Sequence, residues 1–308
     1  MPFRMTRRAP AHVAILIAIG LLGGCAGANE SKTEAPKAEP VAVANPLDEL
    51  PVAKFAHPTR IDNQWMPMTP GTRLVYEGTT IEDDGTTVPH RIEINVTDLT
   101  KVVGGIHSVV TWDLDYSDGE LVEAEVAFFA QDDDGNVWRM GEYPEEYDAG
   151  KIIGHPAWIH GVEEAKAGIM MKGKPATGTP SYAQGWGPAV NWSDRATVDS
   201  MGVTTCVPVK CYEDVLVVAE SSQSEVDAQQ LKYYAPGVGN IRVGWRGAGE
   251  KTKETLQLVK VERVDAKGLA KMRAGALALE KSAYERSKTV YVGTSPMDRV
   301  EAAGAASK

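Results

Sequence analysis

Residues 109–131 read VVTWDLDYSDGELVEAEVAFFAQ, and they decide the fold. On both sides of Asp118-Gly119, apolar or aromatic side chains alternate with polar ones, which is the period of a half-buried β-strand. An Asp-Gly pair suits a tight hairpin because glycine accepts a positive φ. These residues therefore predict two antiparallel strands joined by a short turn.

The same alternation recurs along most of the chain. Further runs with period two are residues 73–77, 91–96, 212–220, 231–234 and 256–262. Asp84-Gly85, Gly104-Gly105 and Asp134-Gly135 lie between strand-like runs, where they suit hairpin turns. No helical period interrupts the runs before about residue 150, which argues against a parallel βαβ fold. We predict a mainly β protein, a strongly curved antiparallel sheet or open barrel over residues 51–264.

Residues 150–195 break this pattern and are rich in glycine and proline. A long irregular stretch inside a compact domain is typical of a functional or covering region. Its aromatic side chains are candidates for the mouth or lid of a ligand site, because aromatic rings supply contact area at small entropic cost. These candidates are Trp158, Tyr182, Trp186 and Trp192.

The chain changes to a helical period after Asp265. Apolar residues recur at steps of three and four at Leu269, Met272, Ala276, Leu279 and Ala283. We predict a C-terminal amphipathic helix over residues 265–288 that packs across the sheet, and a loosely ordered tail over 289–308. A helix that binds a partner or a membrane surface is the alternative.

The first residues have the pattern of a targeting segment. Arg4, Arg7 and Arg8 precede an apolar run over residues 12–22, which is too short to span a bilayer but matches a signal peptide. The run ends in Leu22-Gly23-Gly24-Cys25, which resembles the lipobox of bacterial lipoproteins. The resemblance implies cleavage after residue 24 and a lipid anchor of fatty acyl chains, such as palmitate, on Cys25. An ordinary secretory signal is the alternative.

Residues 25–50 then form a tether of Ala, Pro, Glu and Lys without apolar periodicity. Removal of the signal peptide takes the formal net charge from −10 to −13, because its charged residues are three arginines and no acidic residue. Such a chain is repelled by phosphate backbones, which disfavours a nucleic-acid partner. We expect it in the cell envelope, held to a membrane by lipid. Ala26 favours the outer membrane, facing the periplasm or the cell surface.

Two further cysteines, Cys206 and Cys211, are separated by four residues that include Pro208. An exported protein lies where disulfides persist, so we predict a bond that rigidifies one hairpin tip. A two-cysteine metal or redox site is the alternative, but the spacing is not that of a CxxC centre.

Three motifs occur in a specific order. They are WMPMTPGTRLVYEG at 65–78, AQDDDGNVW at 130–138 and KYYAPGVG at 232–239. Together they resemble a family of uncharacterised secreted bacterial lipoproteins with a PGTxxxYEG opening, a DGNVW hairpin and a YYAPGVG closing strand. The resemblance covers most of residues 60–245 and implies no activity. The chain departs from the family pattern at the Cys206 to Cys211 turn and at the histidines of residues 155–160.

The most site-like titratable cluster is His155, His160, Glu163 and Glu164. Imidazoles and carboxylates can ligate zinc or copper, so these four residues are candidate metal ligands, with loop histidines of structural role as the alternative. No other cofactor is indicated. Residues 132–136 lack the spacing of a calcium loop and predict a hairpin tip. We interpret His57, His90 and His107 as ordinary strand or loop residues.

Three function classes remain open. We favour a non-catalytic, lipid-anchored binding protein whose curved sheet holds an apolar or amphiphilic small molecule. An envelope assembly or scaffold lipoprotein with a protein partner is the second hypothesis. A metal-dependent hydrolase centred on His155 and His160, with Glu163 or Glu164 as base, is the third.

Overall fold

The computed structural model describes residues 48–82, 84–222, 226–251 and 253–299. The signal peptide, Cys25 and most of the tether lie outside these ranges, as does the end of the predicted tail. What the sequence indicates about those segments stays a prediction.

The described ranges form sixteen β-strands, two α-helices and two short 3-10 helices. The strands are β1 Thr72–Ile81, β2 Thr87–Val103, β3 Ile106–Ser117, β4 Glu120–Gln131, β5 Val137–Asp148, β6 Lys151–Gly154, β7 Trp158–Ile159, β8 Lys166–Met171, β9 Tyr182–Ala183, β10 Gly185–Trp186, β11 Asp194–Val207, β12 Lys210–Ser222, β13 Gln229–Ala235, β14 Gly239–Arg246, β15 Lys253–Arg263 and β16 Asp298–Arg299. The helices are α1 Ala266–Arg286 and α2 Lys288–Tyr291, and the 3-10 helices are Val52–Lys54 and Pro188–Val190.

Most strands pair with their neighbours in sequence. The order across the sheet is β10, β8, β5, β4, β3, β2, β1, β15, β14, β13, β12, β11 and β9, with β6, β7 and β16 paired to its sides. All pairings between these strands are antiparallel, and the sheet curls into a nearly closed barrel with one seam. The predicted mainly β fold, with a curved antiparallel sheet and a C-terminal helix, is confirmed.

The glycine-rich region forms the wall at the seam. Ala183 of β9 pairs with Arg195 of β11, and two residues later Gly185 of β10 pairs with Ala167 of β8. This short segment thus connects the two ends of the sheet. A Cβ atom on Gly168 of β8 would collide with the backbone nitrogen of Gly185, so the close approach requires glycine. Much of the segment from 150 to 195 is therefore part of the barrel.

Helix α1 contacts β2, β3, β4 and β5, where the largest core cluster lies. Strand β4 shows why this face is apolar: Val126 and Phe128 are fully buried, while the alternating Glu125 and Ala127 line the inside of the barrel. Asp265 caps α1 by accepting a hydrogen bond from the backbone nitrogen of Gly268 at 2.7 Å. The helix buries one stripe, which includes Met272, Ala276, Leu279 and Ala283.

The prediction of a loose tail is wrong for residues 289–299. Tyr291 of α2 is fully buried, and its ring packs edge-on against Tyr143 at 5.5 Å and Tyr284 at 5.4 Å between centroids. Asp298 of β16 then pairs with Thr100 of β2. Aromatic burial and an added strand hold this segment, because together they remove apolar area and backbone groups from water.

The predicted disulfide is confirmed. Cys206 and Cys211 are opposite each other at the tip of the β11–β12 hairpin, with Cα atoms 3.8 Å apart, and the two sulfurs are bonded. Both residues are exposed, so the bond closes a solvent-facing turn.

Candidate functional site

The inside of the barrel holds a cavity of about 270 Å³. Because side chains alternate across a strand, alternate residues in parts of β1 to β4 line this space, such as Glu123, Glu125 and Ala127 of β4. The rest of the wall comes from β5, β8, β11 to β15, residues 184 and 192, and residues 66–68, which precede β1. The cavity has one apolar end and one acidic end.

The apolar end is the one that the segment before β1 covers. An antiparallel bridge between Ile61 and Met68 folds this segment back on itself, and Met68 is 7% exposed. The lining at this end includes Met66, Met68, Leu74, Val96, Phe129 and Val238. Aliphatic and thioether side chains of this kind fit a hydrocarbon chain without specific geometry.

The acidic end lies toward the β3–β4 turn. Asp115 and Glu123 flank that turn, and Glu254 lies near the start of β15 at the same end, since Ile81 pairs with Lys253. Among the described residues, nine acidic and only two basic residues line the cavity. The negative charge therefore exceeds what the lining cations can neutralise.

Two rungs of the β3–β4 ladder place carboxyl groups directly opposite each other. Asp113 pairs with Glu125, and Asp115 pairs with Glu123. All four line the cavity, and Asp115, Glu123 and Glu125 are at most 7% exposed. Like charges opposite each other destabilise a sheet, and apolar side chains at such positions are often more stable. The arrangement costs stability, which points to a role in binding.

The acidic neighbours disfavour ionisation. Burial, followed by the charge of Glu125, raises the pKa of Asp113 well above its ordinary value. Burial, followed by the charges of Glu125 and Asp115, does the same to the pKa of Glu123. Burial also raises the pKa of Glu142 to about 8, although Arg139 lowers it. A cation beside these carboxyl groups would favour their ionised forms, and their protons would then pass to solvent.

The two basic side chains that line the cavity form ion pairs with some of its carboxylates. Arg139 Nη2 lies 2.6 Å from Glu125 Oε1, and the same guanidinium pairs with Glu142. The Arg139 guanidinium also lies 5.5 Å from the ring centroid of Trp192. On the opposite wall, Lys232 Nζ lies 2.8 Å from Glu220 Oε2. These pairs account for three carboxylates.

A third cation, His90, lies behind the acidic end, and the interpretation of this residue as ordinary is wrong. Its Nε2 lies 2.7 Å from Asp115 Oδ1, and its Nδ1 lies 3.0 Å from both Glu254 Oε1 and Thr80 Oγ1. Burial lowers the pKa of His90, but the hydrogen bonds to Asp115 and Glu254 outweigh this and raise it to about 10. His90 is therefore a buried imidazolium that fixes two carboxylates.

Sequence reasoning missed His90 because its partners come from β3 and β15, which are distant in the chain. It also missed the two carboxyl rungs, although a signal existed. Alternation in residues 109–131 places Asp113, Asp115, Glu123 and Glu125 on one face of a predicted hairpin. What the pattern did not show was that this face is the inner one.

Of the four predicted aromatic ligand contacts, Trp192 alone lines the cavity. Trp158 stacks on Trp192, with ring centroids 4.8 Å apart, in a small separate core. A Cβ atom on Gly187 would lie 3.0 Å from the Trp158 ring, so glycine makes room for this ring. Tyr182 is 3% exposed and lies under Lys172, whose ammonium is 4.5 Å from its ring centroid. Trp158, Tyr182 and Trp186 are therefore not among the described residues that line this cavity.

The predicted metal ligands do not converge. His155 Nδ1 lies 3.1 Å from Ser287 Oγ at the end of α1, whereas His160 Nδ1 accepts a hydrogen bond from the backbone nitrogen of Ala167 at 3.0 Å. Glu163 and Glu164 are exposed turn residues with positive φ. The described ranges contain no group of three His, Cys, Asp or Glu side chains suited to a metal ion. The prediction that these four residues share a metal is wrong, because β7 and the following turn direct them to different partners.

The acidic tip at residues 132–136 is a hairpin turn, as the sequence indicates. Asp132 accepts hydrogen bonds from the backbone nitrogens of Asp134 and Asn136 and from Trp138 Nε1, at 2.8 to 3.0 Å. Its carboxylate is thus used to hold the turn. His57 and His107 are exposed, as expected for ordinary residues.

No protein-family model matches this chain, and no curated protein is similar to it in sequence. Among solved structures, a protein from Bacteroides fragilis described as exported, with a YmcC-like fold, is 12% identical with a TM-score of 0.38 over 65% of this chain and 99% of that one. A protein from Parabacteroides distasonis described as a lipoprotein is 13% identical with a TM-score of 0.32 over 65% and 100%. A β-barrel-like protein of the domain of unknown function DUF1849 from Brucella abortus is 11% identical with a TM-score of 0.33 over 64% and 99%. These are remote likenesses.

No helix in the described ranges is both long and apolar enough to cross a membrane.

Proposed function

We propose that this chain is an exported, lipid-anchored binding protein of the bacterial envelope that holds an amphiphilic ligand inside its barrel. The observation that carries the proposal is the polarity of the cavity, which has Met66, Met68 and Leu74 at one end and Asp115 and Glu123 at the other. A cavity divided in this way matches a molecule with an apolar chain and a polar head. The role is binding and not catalysis.

Anchoring rests on the sequence. Lipids on Cys25 would hold the mature chain at a membrane surface, since several acyl chains give stable attachment. The tether that follows would place the barrel within reach of membrane amphiphiles.

The scaffold hypothesis has less support. In the described ranges, the large exposed apolar side chains come from separate segments, including Ile153 of β6, Met201 of β11, Val261 of β15 and Leu277 of α1. A protein interface is favoured by one contiguous patch of several hundred Å².

Native mass spectrometry of the mature lipoprotein released from lipid nanodiscs tests the binding role. The probes are decanol, decylamine and decanoate, which share one chain length and differ in the head. At least one probe should give a one-to-one adduct. Ala127 lines the cavity and is 1% exposed, so Ala127→Phe should fill the space and abolish the adduct.

Ala270→Phe, on the exposed face of α1, is the matched control and should leave the adduct unchanged. Thermal unfolding of each variant shows whether the barrel is intact. Equal adducts on Ala127→Phe and unaltered protein would contradict binding in the cavity.

A further inference from the structure

The charges around the cavity indicate which kind of polar head the ligand carries. Seven carboxyl groups near the acidic end and the waist of the cavity face three cations, Arg139, Lys232 and His90. These carboxyl groups are Asp113, Asp115, Glu123, Glu125, Glu142, Glu220 and Glu254. The excess cannot be screened well by water in so narrow a space.

Each cation is already engaged. Arg139 binds Glu125 and Glu142, Lys232 binds Glu220, and His90 binds Asp115 and Glu254. This leaves Asp113 and Glu123, which no ion pair within the described ranges reaches. Within the described ranges, Asp113 accepts hydrogen bonds from two neutral donors, the Thr111 hydroxyl at 3.1 Å and the Asn95 backbone nitrogen at 3.4 Å.

A second observation comes from a single oxygen atom. Asp115 is 4% exposed and lines the cavity, and its Oδ1 accepts from His90. Its Oδ2 is buried and has no hydrogen-bond partner in the described ranges. A buried carboxylate oxygen without a donor costs free energy, so it favours a donor supplied from the cavity.

Asp113, Asp115 and Glu123 lie next to one another. Asp115 and Glu123 are directly opposite on β3 and β4, where Cβ atoms are about 4.5–5.5 Å apart. Asp113 is two residues before Asp115 on the same face of β3. One ammonium group, with three donors, can therefore reach oxygens of all three side chains.

We propose that the cavity takes a cationic amphiphile, with its protonated amine between Asp113, Asp115 and Glu123 and its hydrocarbon chain against Met66, Met68 and Leu74. This inference rests on the proposed function and adds the chemical class of the ligand. A cation offsets the like-charge rungs and supplies a donor to Asp115 Oδ2, whereas a carboxylate head would place a further negative charge beside these carboxyl groups. Burial and neighbouring carboxylates raise the pKa values of Asp113 and Glu123, and an ammonium group beside them would favour their ionised forms.

The test compares the heads at constant chain length, using equilibrium dialysis against the mature protein in nanodiscs, with empty nanodiscs as blank. Decylamine should bind at least about tenfold more tightly than decanol, and decanoate should bind most weakly. In Asp113→Asn/Glu123→Gln the preference for decylamine over decanol should fall to about twofold or less, while the affinity for decanol is retained.

Glu120→Gln is the matched control, because Glu120 lies on the same strand as Glu123 but is exposed. It should keep the full preference. If the double variant unfolds, Asp113→Asn and Glu123→Gln are measured separately, and each should reduce the preference. A preference that persists in every folded variant would overturn the assignment of these side chains.

The outcomes separate the two proposals. If decanol or decanoate binds as tightly as decylamine, the proposal of a cationic head group is wrong, but the proposal that the barrel binds an amphiphile stands. If none of the three probes binds above the blank, the proposed function fails together with the inference.

Discussion

The ammonium group of Lys101 lies 2.9 Å from Oε1 of Glu280, and both side chains are at most 6% exposed. Glu280 lies on α1 and also accepts hydrogen bonds from the backbone nitrogen of Met297 at 2.8 and 3.0 Å. The Lys101 ammonium lies 4.8 Å from the ring centroid of Tyr291. One buried ion pair thus joins β2, helix α1 and the segment after α2.

Removing one partner of this pair should cost more than removing both. Lys101→Met leaves the Glu280 carboxylate buried and uncompensated, so we expect a loss of about 3–5 kcal/mol in the free energy of unfolding. Lys101→Met/Glu280→Gln should lose less, since no buried charge remains. Urea unfolding followed by circular dichroism measures both. An equal loss in the single and double variants would show that the pair contributes only by packing.

His90 should stabilise the barrel in a pH-dependent way. Its folded-state pKa is raised from 6.5 to about 10, so its contribution is fully present below pH 6.5 and is lost as the pH rises through about 10. At neutral pH, His90→Phe should lower the free energy of unfolding by about 3–5 kcal/mol, because Asp115 and Glu254 lose their cation. Above about pH 10 the loss should be much smaller, because His90 is then neutral in the unaltered protein as well. Urea midpoints across this pH range provide the measurement. His107→Phe, at an exposed position, should show no such dependence.

Glu142 should make the unliganded barrel less stable as the pH increases. Burial raises its pKa from 4.5 to about 8 in the folded state, so the folded protein keeps a proton that the unfolded chain loses. Stability should fall between pH 4.5 and about 8, and Glu142→Gln should flatten that part of the profile. An unchanged slope in Glu142→Gln would assign the effect to other carboxyl groups.

Binding of a cationic amphiphile should release protons. The pKa values of Asp113 and Glu123 are raised by burial and by neighbouring carboxylates, and an ammonium group beside them favours their ionised forms. Calorimetric titration with decylamine in buffers of different ionisation enthalpy measures the number released. Decanol should release none, and Asp113→Asn/Glu123→Gln should lose most of the decylamine signal.

The disulfide should matter little for the cavity. Cys206 and Cys211 close a loop of a few residues at an exposed hairpin tip, and such short loops stabilise by about 2 kcal/mol or less. Cys206→Ser/Cys211→Ser should lower the unfolding midpoint slightly and leave decylamine affinity unchanged. Reduction of the unaltered protein should reproduce the shift in midpoint.

Local pattern was sufficient for much of the fold. Alternation in residues 109–131 predicted β3, β4 and the turn at Asp118-Gly119, where both residues have positive φ. The steps of three and four predicted α1, with Met272, Ala276 and Leu279 on its buried face. These predictions succeeded because backbone geometry fixes which side chains share a face.

The candidate site was not predictable in the same way. Trp158 and Tyr182 are aromatic, but their rings fill the wall at the seam and not the cavity. His90 lies alone in the sequence and gains its partners only when β3 and β15 are placed beside β2 and β1. Composition identifies residues suited to binding, whereas contacts between distant strands decide which of them meet.

The sequence by itself determined the predominance of β-strands, the disulfide and the helix that packs on the sheet. These features depend on local periodicity and short motifs. The tertiary structure decided that the inner face of the barrel carries the carboxyl groups of β3 and β4, and that residues 182–186 join the two ends of the sheet. The reason is that a curved sheet has an inner and an outer face. Packing between elements far apart in the chain decides which face is the inner one.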